Sequence, residues 1–325
     1  MIYVYDGTLE GFLSAVFDIY VNKTEPLNIV SAQSAFQPDF DTPCHTVETT
    51  DEKAARLMTG MDKIGGALPG QVIYAFLSHM PDREMVIYRY IAMGFEMKEK
   101  LFQNLHDDTV RKVLDMERQT GVEKQKMKGF LRFSVTENNV FYAEMSPKNN
   151  ILPLIMAHFC RRFRVKPFMI RDRTYNQLGI FDTRGWYIHS DARLNGETDT
   201  RTLAEAAAAS PNLHESEERY RYMWKRFYDI TAMNGRENIK GRNARVPQRY
   251  QRHMTEHQDQ PYVNHPSHEQ GRLYPSDPFD GGSPSRIQLQ DDFHSQSDGT
   301  KNGPYIHGPE ITVESLANIA RGFLT

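Results

Sequence analysis

The hydrophobic period of this 325-residue chain changes at Gly129, and that change constrains the fold more than any other feature. Before it, apolar residues recur at helical spacing. After it, short alternating runs dominate, and a period of two demands a pleated, half-buried strand. FLRFSV (130–135) and NVFYAEM (139–145) flank a Thr-Glu-Asn turn and read as a hairpin. The apolar helix ILPLIMAHFCRRF (151–163) follows, then the strands PFMIRD (167–172), LGIFD (178–182) and GWYIHS (185–190). This order predicts an α+β fold: an antiparallel sheet of about five or six strands with several helices.

The half that precedes the sheet (1–128) is expected to be mostly helical. IYVY (2–5) is a short strand, and Asp6-Gly7-Thr8 turns it into an amphipathic helix. Thr49-Thr50-Asp51-Glu52 has the form of a capping box and opens a helix through Ile64, ended by Gly65-Gly66. Further helices are expected at 68–79, after Pro81-Asp82, and from Asp107 or Asp108. Beyond the sheet region (129–190), a basic helical segment spans 213–256. Residues 257–325 hold seven of the seventeen prolines and seven of the twenty-one glycines. Strings such as YPSDPFDGGSPS cannot bury a core, so the expectation is one domain over 1–256 and a disordered acidic C-terminal tail. Within that tail only 311–324 has helical apolar spacing.

Charge is distributed unevenly. The chain as a whole carries −3, yet residues 219–253 hold ten Lys/Arg against two acids, a net +8. The tail from Met254 onward carries ten acids against four bases. On a helix over about 216–232, Tyr220, Met223, Trp224, Phe227 and Ile230 form one stripe, which periodicity assigns to the core. The later cations Arg236, Lys240, Arg242, Arg245, Arg249 and Arg252 lack such a pattern. Excess positive charge without interspersed acids suits phosphate contact, although a solvated surface or a protein partner would use the same residues. A second cluster, CRRFRVKPFMIRDR, sets Arg161, Arg162, Arg164, Lys166, Arg171 and Arg173 against Asp172. One or two of these would suit a helix C-terminus; six exceed that need. Tyr250 is a candidate for stacking on an exposed base, and Phe163 a weaker one with a core role as its plainer reading.

Other chemistry is sparse. Cys44 and Cys160 cannot make a disulfide framework or a four-thiolate site, so no iron–sulfur cluster is expected on this chain. Asp39, Asp41, Cys44 and His45 crowd together without a partner pair at metal-ligand spacing, as do His253/His257 and His265/His268, and no metal site is expected. No phosphate loop, dinucleotide fingerprint or nucleophile elbow is present. There is no apolar run of membrane-spanning length and no secretory leader, and sparse cysteine suits a reducing cytoplasm.

Four blocks read together carry a resemblance: YVYDGTLEGFLSAVF, DREMVIYRYIAMGF, GFLRFSVTENNVFYAEMSPKNNILPLIMAHFCRRF and WKRFYDITAMNGRENIKGRNARVPQRYQRHMTE. In this order, over about 1–256, they resemble the radical-SAM-linked "probable DNA metabolism protein" family. That domain of unknown function is encoded beside a radical SAM protein assigned to DNA repair, and it also occurs fused to uracil-DNA-glycosylase-like domains. The resemblance implies a radical SAM partner that would hold the iron–sulfur cluster and S-adenosylmethionine. The chain departs from the family pattern at four places. Lys148-Asn149-Asn150 stands for Asp-His-Asn, Arg171-Asp172 for His-Asp, Tyr175 for Arg, and Gln251 for the Trp after Arg-Tyr. If the two histidines are acid–base groups in relatives, Asn149 and Arg171 do not replace them near neutral pH.

Three functions compete on this reading. The first is a DNA-binding accessory protein for repair or base modification, its acidic tail able to fold back on the basic segment. The second is an enzyme acting on nucleic acid, with Asp172 as the only catalytic candidate. The third is an adaptor docking an acidic protein surface.

Overall fold

A computed structural model of the chain describes residues 1–34, 42–190, 212–231 and 238–258. Arg236, Asp39, Asp41, His265, His268 and the tail beyond Gln258, with its helical segment at 311–324, lie outside the described residues.

The N-terminal part contains a sheet that the sequence does not announce. β1 (Ile2–Tyr5) is flanked on both sides by parallel partners, β2 (Asn28–Ser31) and β3 (Cys44–Thr46). Only β1 was legible as a strand, because β2 and β3 are four and three residues long and β3 is exposed throughout. Between β1 and β2 runs α1 (Leu9–Asn22), whose N-cap Thr8 accepts from the Gly11 amide at 2.9 Å. α2 (Asp51–Ile64) has the expected span, but Thr50 makes no side-chain cap bond; its amide and carbonyl are held instead by Ser14 Oγ on α1. α3 (Ala67–Phe76), α4 (Arg83–Met97) and a 3-10 turn (Lys98–Gln103) complete this part.

α5 (Asp108–Phe130) is the spine of the described structure. Asp107 starts it by accepting from the amides of Thr109 and Val110 at 2.7 and 3.1 Å. Val110, Val113 and Met116 enter the N-terminal core with Phe12, Leu68 and Ile87. One turn past Glu123, Met127 enters a second core with Ile155, Phe159, Phe168 and Ile170. A single helix thus contributes to both cores.

The second core underlies a five-stranded sheet, in order β4 (Ser134–Val135), β5 (Phe141–Met145), β6 (Phe168–Asp172), β7 (Gln177–Phe181), β8 (Trp186–Ser190). It is mixed rather than antiparallel: β5 and β6 run parallel, with Met145 beside Asp172. The reason is the connection. α6 (Leu152–Phe163) carries the chain back along the sheet, as a parallel crossover requires. α5 also runs on through Phe130, so the first hairpin strand shrinks to two residues. α6 lies close on β7 because Gly179 has no side chain; a Cβ there would sit 2.6 Å from Met156 Sδ.

The last part is α7 (Glu215–Thr231), α8 (Ile239–Arg245), the single turn α9 (Gln248–Gln251) and a 3-10 turn at Thr255–His257. The stripe expected in the core is not there. Tyr220, Met223, Trp224, Phe227 and Ile230 are between 43% and 66% exposed, and Glu217 is the only buried residue of α7. The helix is attached by polar contacts: the Val135 amide donates to Glu217 Oε2 at 3.0 Å and Arg221 Nη2 to Ser134 Oγ at 2.7 Å. Its apolar face therefore points away from the body.

Candidate functional site

β5 and β6 end side by side, and the carboxyl ends of parallel strands are where open sheets place their sites. Pleating sorts the residues there. Phe168, Ile170 and Asp172 share the face that α6 covers, whereas Glu144 and its register partner Arg171 share the opposite face.

On the covered face the centre is Glu123 of α5, a buried carboxylate in phase with the buried stripe Val113, Met116, Thr120 and Met127. Oε1 accepts from the Lys148 amide at 2.8 Å and from the Tyr250 hydroxyl. Oε2 accepts from the Asn149 amide at 2.8 Å and from Asn149 Nδ2 at 2.6 Å. With four donors this carboxylate has its hydrogen-bonding capacity filled. Asn149 Oδ1 is left to accept from the His79 amide at 3.0 Å and from its ring Nδ1–H at 2.8 Å, drawing in the α3–α4 loop. Arg249 stacks over the Tyr250 ring at 4.6 Å and donates to its hydroxyl at 2.9 Å. Burial and then the bond to Glu123 raise the Tyr250 hydroxyl far above its ordinary value, so it stays protonated.

Asp172 is the second carboxylate and is fully buried. Its Oδ1 starts the β6–β7 turn by accepting from the amides of Thr174 and Tyr175 at 2.8 and 3.1 Å, and its Oδ2 has no hydrogen-bond partner among the described residues. Burial pushes its carboxyl up to about 6, with Glu123 adding to the rise and the turn amides opposing it. Tyr175 donates to the Lys148 carbonyl at 2.5 Å, and burial raises its hydroxyl to about 12. A group titrating near 6 beside a saturated one is an arrangement that can hold a proton near neutral pH.

On the open face, Arg173 binds Glu144 at 2.6 and 3.2 Å, and His253 reaches Ser146 Oγ at 2.9 Å with its other nitrogen 3.8 Å from Glu144. Burial lowers the His253 imidazole despite that carboxylate. The segment after α8 thus closes the strand ends from both sides.

Three of the departing positions meet here: the Lys148 and Asn149 amides donate to Glu123, and Tyr175 donates to the Lys148 carbonyl. Arg171 lies on the opposite face beside Glu144, and Gln251 follows Tyr250, with its own side chain turned to Asn243 and the Val246 carbonyl. Glu123 itself went unread. The signal was its place on an apolar helical stripe, where a carboxylate is costly unless bonded.

The cations separate by environment. Arg171 is buried, Arg173 is engaged by Glu144, and Arg249 is committed to Tyr250 and Glu123. Tyr250 is buried and cannot stack on a base in this conformation, and Phe163 packs among Phe133, Phe141 and Phe168. Arg161, Arg162, Arg164, Arg242, Arg245 and Arg252 are exposed. Arg161 and Arg162 gather with Lys128 and His158. Burial, then Lys128, Arg161 and Arg162, lower the His158 imidazole; burial, then Lys124 and Arg161, lower the Lys128 amine. Arg242 lies toward His257 instead, and no described contact joins the two groups. The Cys160 thiol is pushed up to about 12 by burial and is unreactive. Among the described residues no group of three or more His, Cys, Asp or Glu is placed to hold a metal, and no helix is long and apolar enough to cross a membrane.

The family model for DUF4130, a domain of unknown function, matches residues 81–256. That range includes Glu123, Asn149, Asp172, Tyr175 and Tyr250, and leaves out the β1–β3 sheet. Searches of curated proteins and of solved structures returned no match. The chain belongs to the DUF4130 family.

Proposed function

We propose that the chain binds nucleic acid, as a DNA-binding accessory protein in repair or base modification. One observation carries this reading. Lys128, Arg161 and Arg162 gather their positive charges beside the neutral His158 ring, with no carboxylate paired to Lys128, Arg161 or Arg162 among the described residues. Such repulsion costs stability in the isolated protein and is relieved by a polyanion. Arg164, Arg242, Arg245 and Arg252 extend the supply of exposed cations. The radical SAM partner, with its cluster and S-adenosylmethionine, enters through the resemblance alone.

Fluorescence anisotropy with single-stranded and duplex DNA at several salt concentrations tests the proposal. Affinity should fall as salt rises, with a log–log slope of about −0.9 per phosphate contact on duplex. Arg161→Glu/Arg162→Glu should weaken every sequence by about 10-fold or more at low salt and flatten the slope by about two. A slope near zero, or an unaffected double variant, defeats the reading.

The unpartnered Oδ2 of Asp172 supports a second one, an enzyme that uses this carboxyl as a proton-transfer group. Asp172→Asn should then abolish base release or strand cleavage while leaving DNA affinity in place. Retained activity removes Asp172 from the chemistry.

A further inference from the structure

α7 is an amphipathic helix mounted with its polar side inward. Its attachments are the Glu217 and Arg221 bonds to β4, the Trp224 indole N–H donating to Glu256 Oε2 at 3.1 Å, and Lys225 Nζ donating to the Gln258 carbonyl at 3.2 Å. Tyr220, Met223, Phe227 and Ile230 line the outward face and are all more than half exposed. A contiguous apolar stripe of this kind marks an interaction surface. Ile and Met along it suit an apolar helical partner better than a stacked base.

We infer that this face is the docking site for residues 311–324 of the same chain. The tether starts at the site: the Gln258 carbonyl rests on Lys225, and the His257 ring meets Tyr228 edge-on at 5.7 Å. Beyond Gln258, residues 311–324 hold the run with helical apolar spacing, and Val313, Leu316, Ala320 and Phe323 fall on one side. That side repeats the spacing of Tyr220, Met223, Phe227 and Ile230, so two helices of similar length can pair stripe to stripe. The contour length available to residues 259–310 far exceeds the roughly 25 Å length of α7, so chain length permits the contact. Charge agrees: residues 259–325 carry nine acids against four bases, and the segment just beyond α7 supplies Lys240, Arg242 and Arg245. The inference is independent of DNA binding.

The test uses the full chain and Trp224, which borders the face with its ring 6.0 Å from Phe227. In a Trp186→Phe background, acrylamide quenching reports shielding of Trp224 alone. Leu316→Asp/Phe323→Asp should increase the quenching constant about 2-fold or more and shift emission to the red, and a synthetic peptide of residues 308–325 should reverse both. Amide exchange across 215–231 in the otherwise native sequence should accelerate with the same double substitution, which checks the result without the Trp186 change. Equal quenching and exchange with and without the substitutions overturn the inference. Shielding that ignores the tail substitutions and grows with protein concentration also overturns it, assigning the face to a second copy.

Discussion

α7 and the short segment around α9 invert what their compositions suggest. α7 carries five of the largest apolar side chains in the C-terminal region and leaves them in solvent, while α9, a single turn reading Gln-Arg-Tyr-Gln, buries Tyr250 deep in the second core. The difference is a partner. Glu123 offers α9 a buried acceptor that the Tyr250 hydroxyl fills, whereas α7 is fastened through polar contacts at Ser134, Val135 and Glu256. Position here follows the unmet hydrogen bond rather than the larger apolar area.

That contrast can be broken most forcefully at Glu123. Glu123→Ala strands the Lys148 and Asn149 amides, Asn149 Nδ2 and the Tyr250 hydroxyl; it should cost about 3–5 kcal/mol in urea unfolding and expose 238–258 to proteases. A loss below about 1 kcal/mol would show that α9 is held by something else. Asp172 comes next and has the opposite sign. Its folded pKa of about 6 lies above the usual 3.8, so between those values the folded state keeps a proton that the unfolded state has lost. Stability therefore falls as pH rises through this window, and the penalty is complete above about 6. Asp172→Asn should stabilise the fold by about 1–3 kcal/mol at pH 7 and by little at pH 4. An equal gain at both pH values would remove ionisation as the cause. Tyr250→Phe keeps the ring and drops two bonds, to Glu123 and from Arg249, for a loss of about 1–2 kcal/mol. The smallest effect belongs to α7: Phe227→Ser should move global stability by less than about 0.5 kcal/mol, as surface changes do. A loss of several kcal/mol would return that side chain to a core.

Much of the fold was legible where periodicity had room to act. The strands at 168–172, 177–181 and 186–190 and the helices α1, α2, α5, α6 and α7 lie close to the expected spans. Parallel pairing was not legible, because strand patterns do not record direction; the helix between β5 and β6 was the only clue. β2 and β3 were too short to alternate. At the site, the departures at 149 and 175 stood out individually, yet their meeting depends on Glu123, which the sequence presents as one acid in a lysine-rich run. For α7 the pattern was read correctly as amphipathic and wrongly as core. An apolar stripe states that some surface covers it, and does not state whose.

The bond between Tyr250 and Glu123 joins residues 127 positions apart. A ribosome adding about 5–20 residues per second needs roughly 6–25 s to cover that interval. Through all of it α5 has been made, its apolar residues favour collapse, and Glu123 still lacks its last donor. The second core, which includes Tyr250, is complete only when the end of the family domain has emerged. The nascent chain therefore carries a hydrated carboxylate as a timer, and truncations that stop before Tyr250 should be recognised as unfinished by the cell's chaperones.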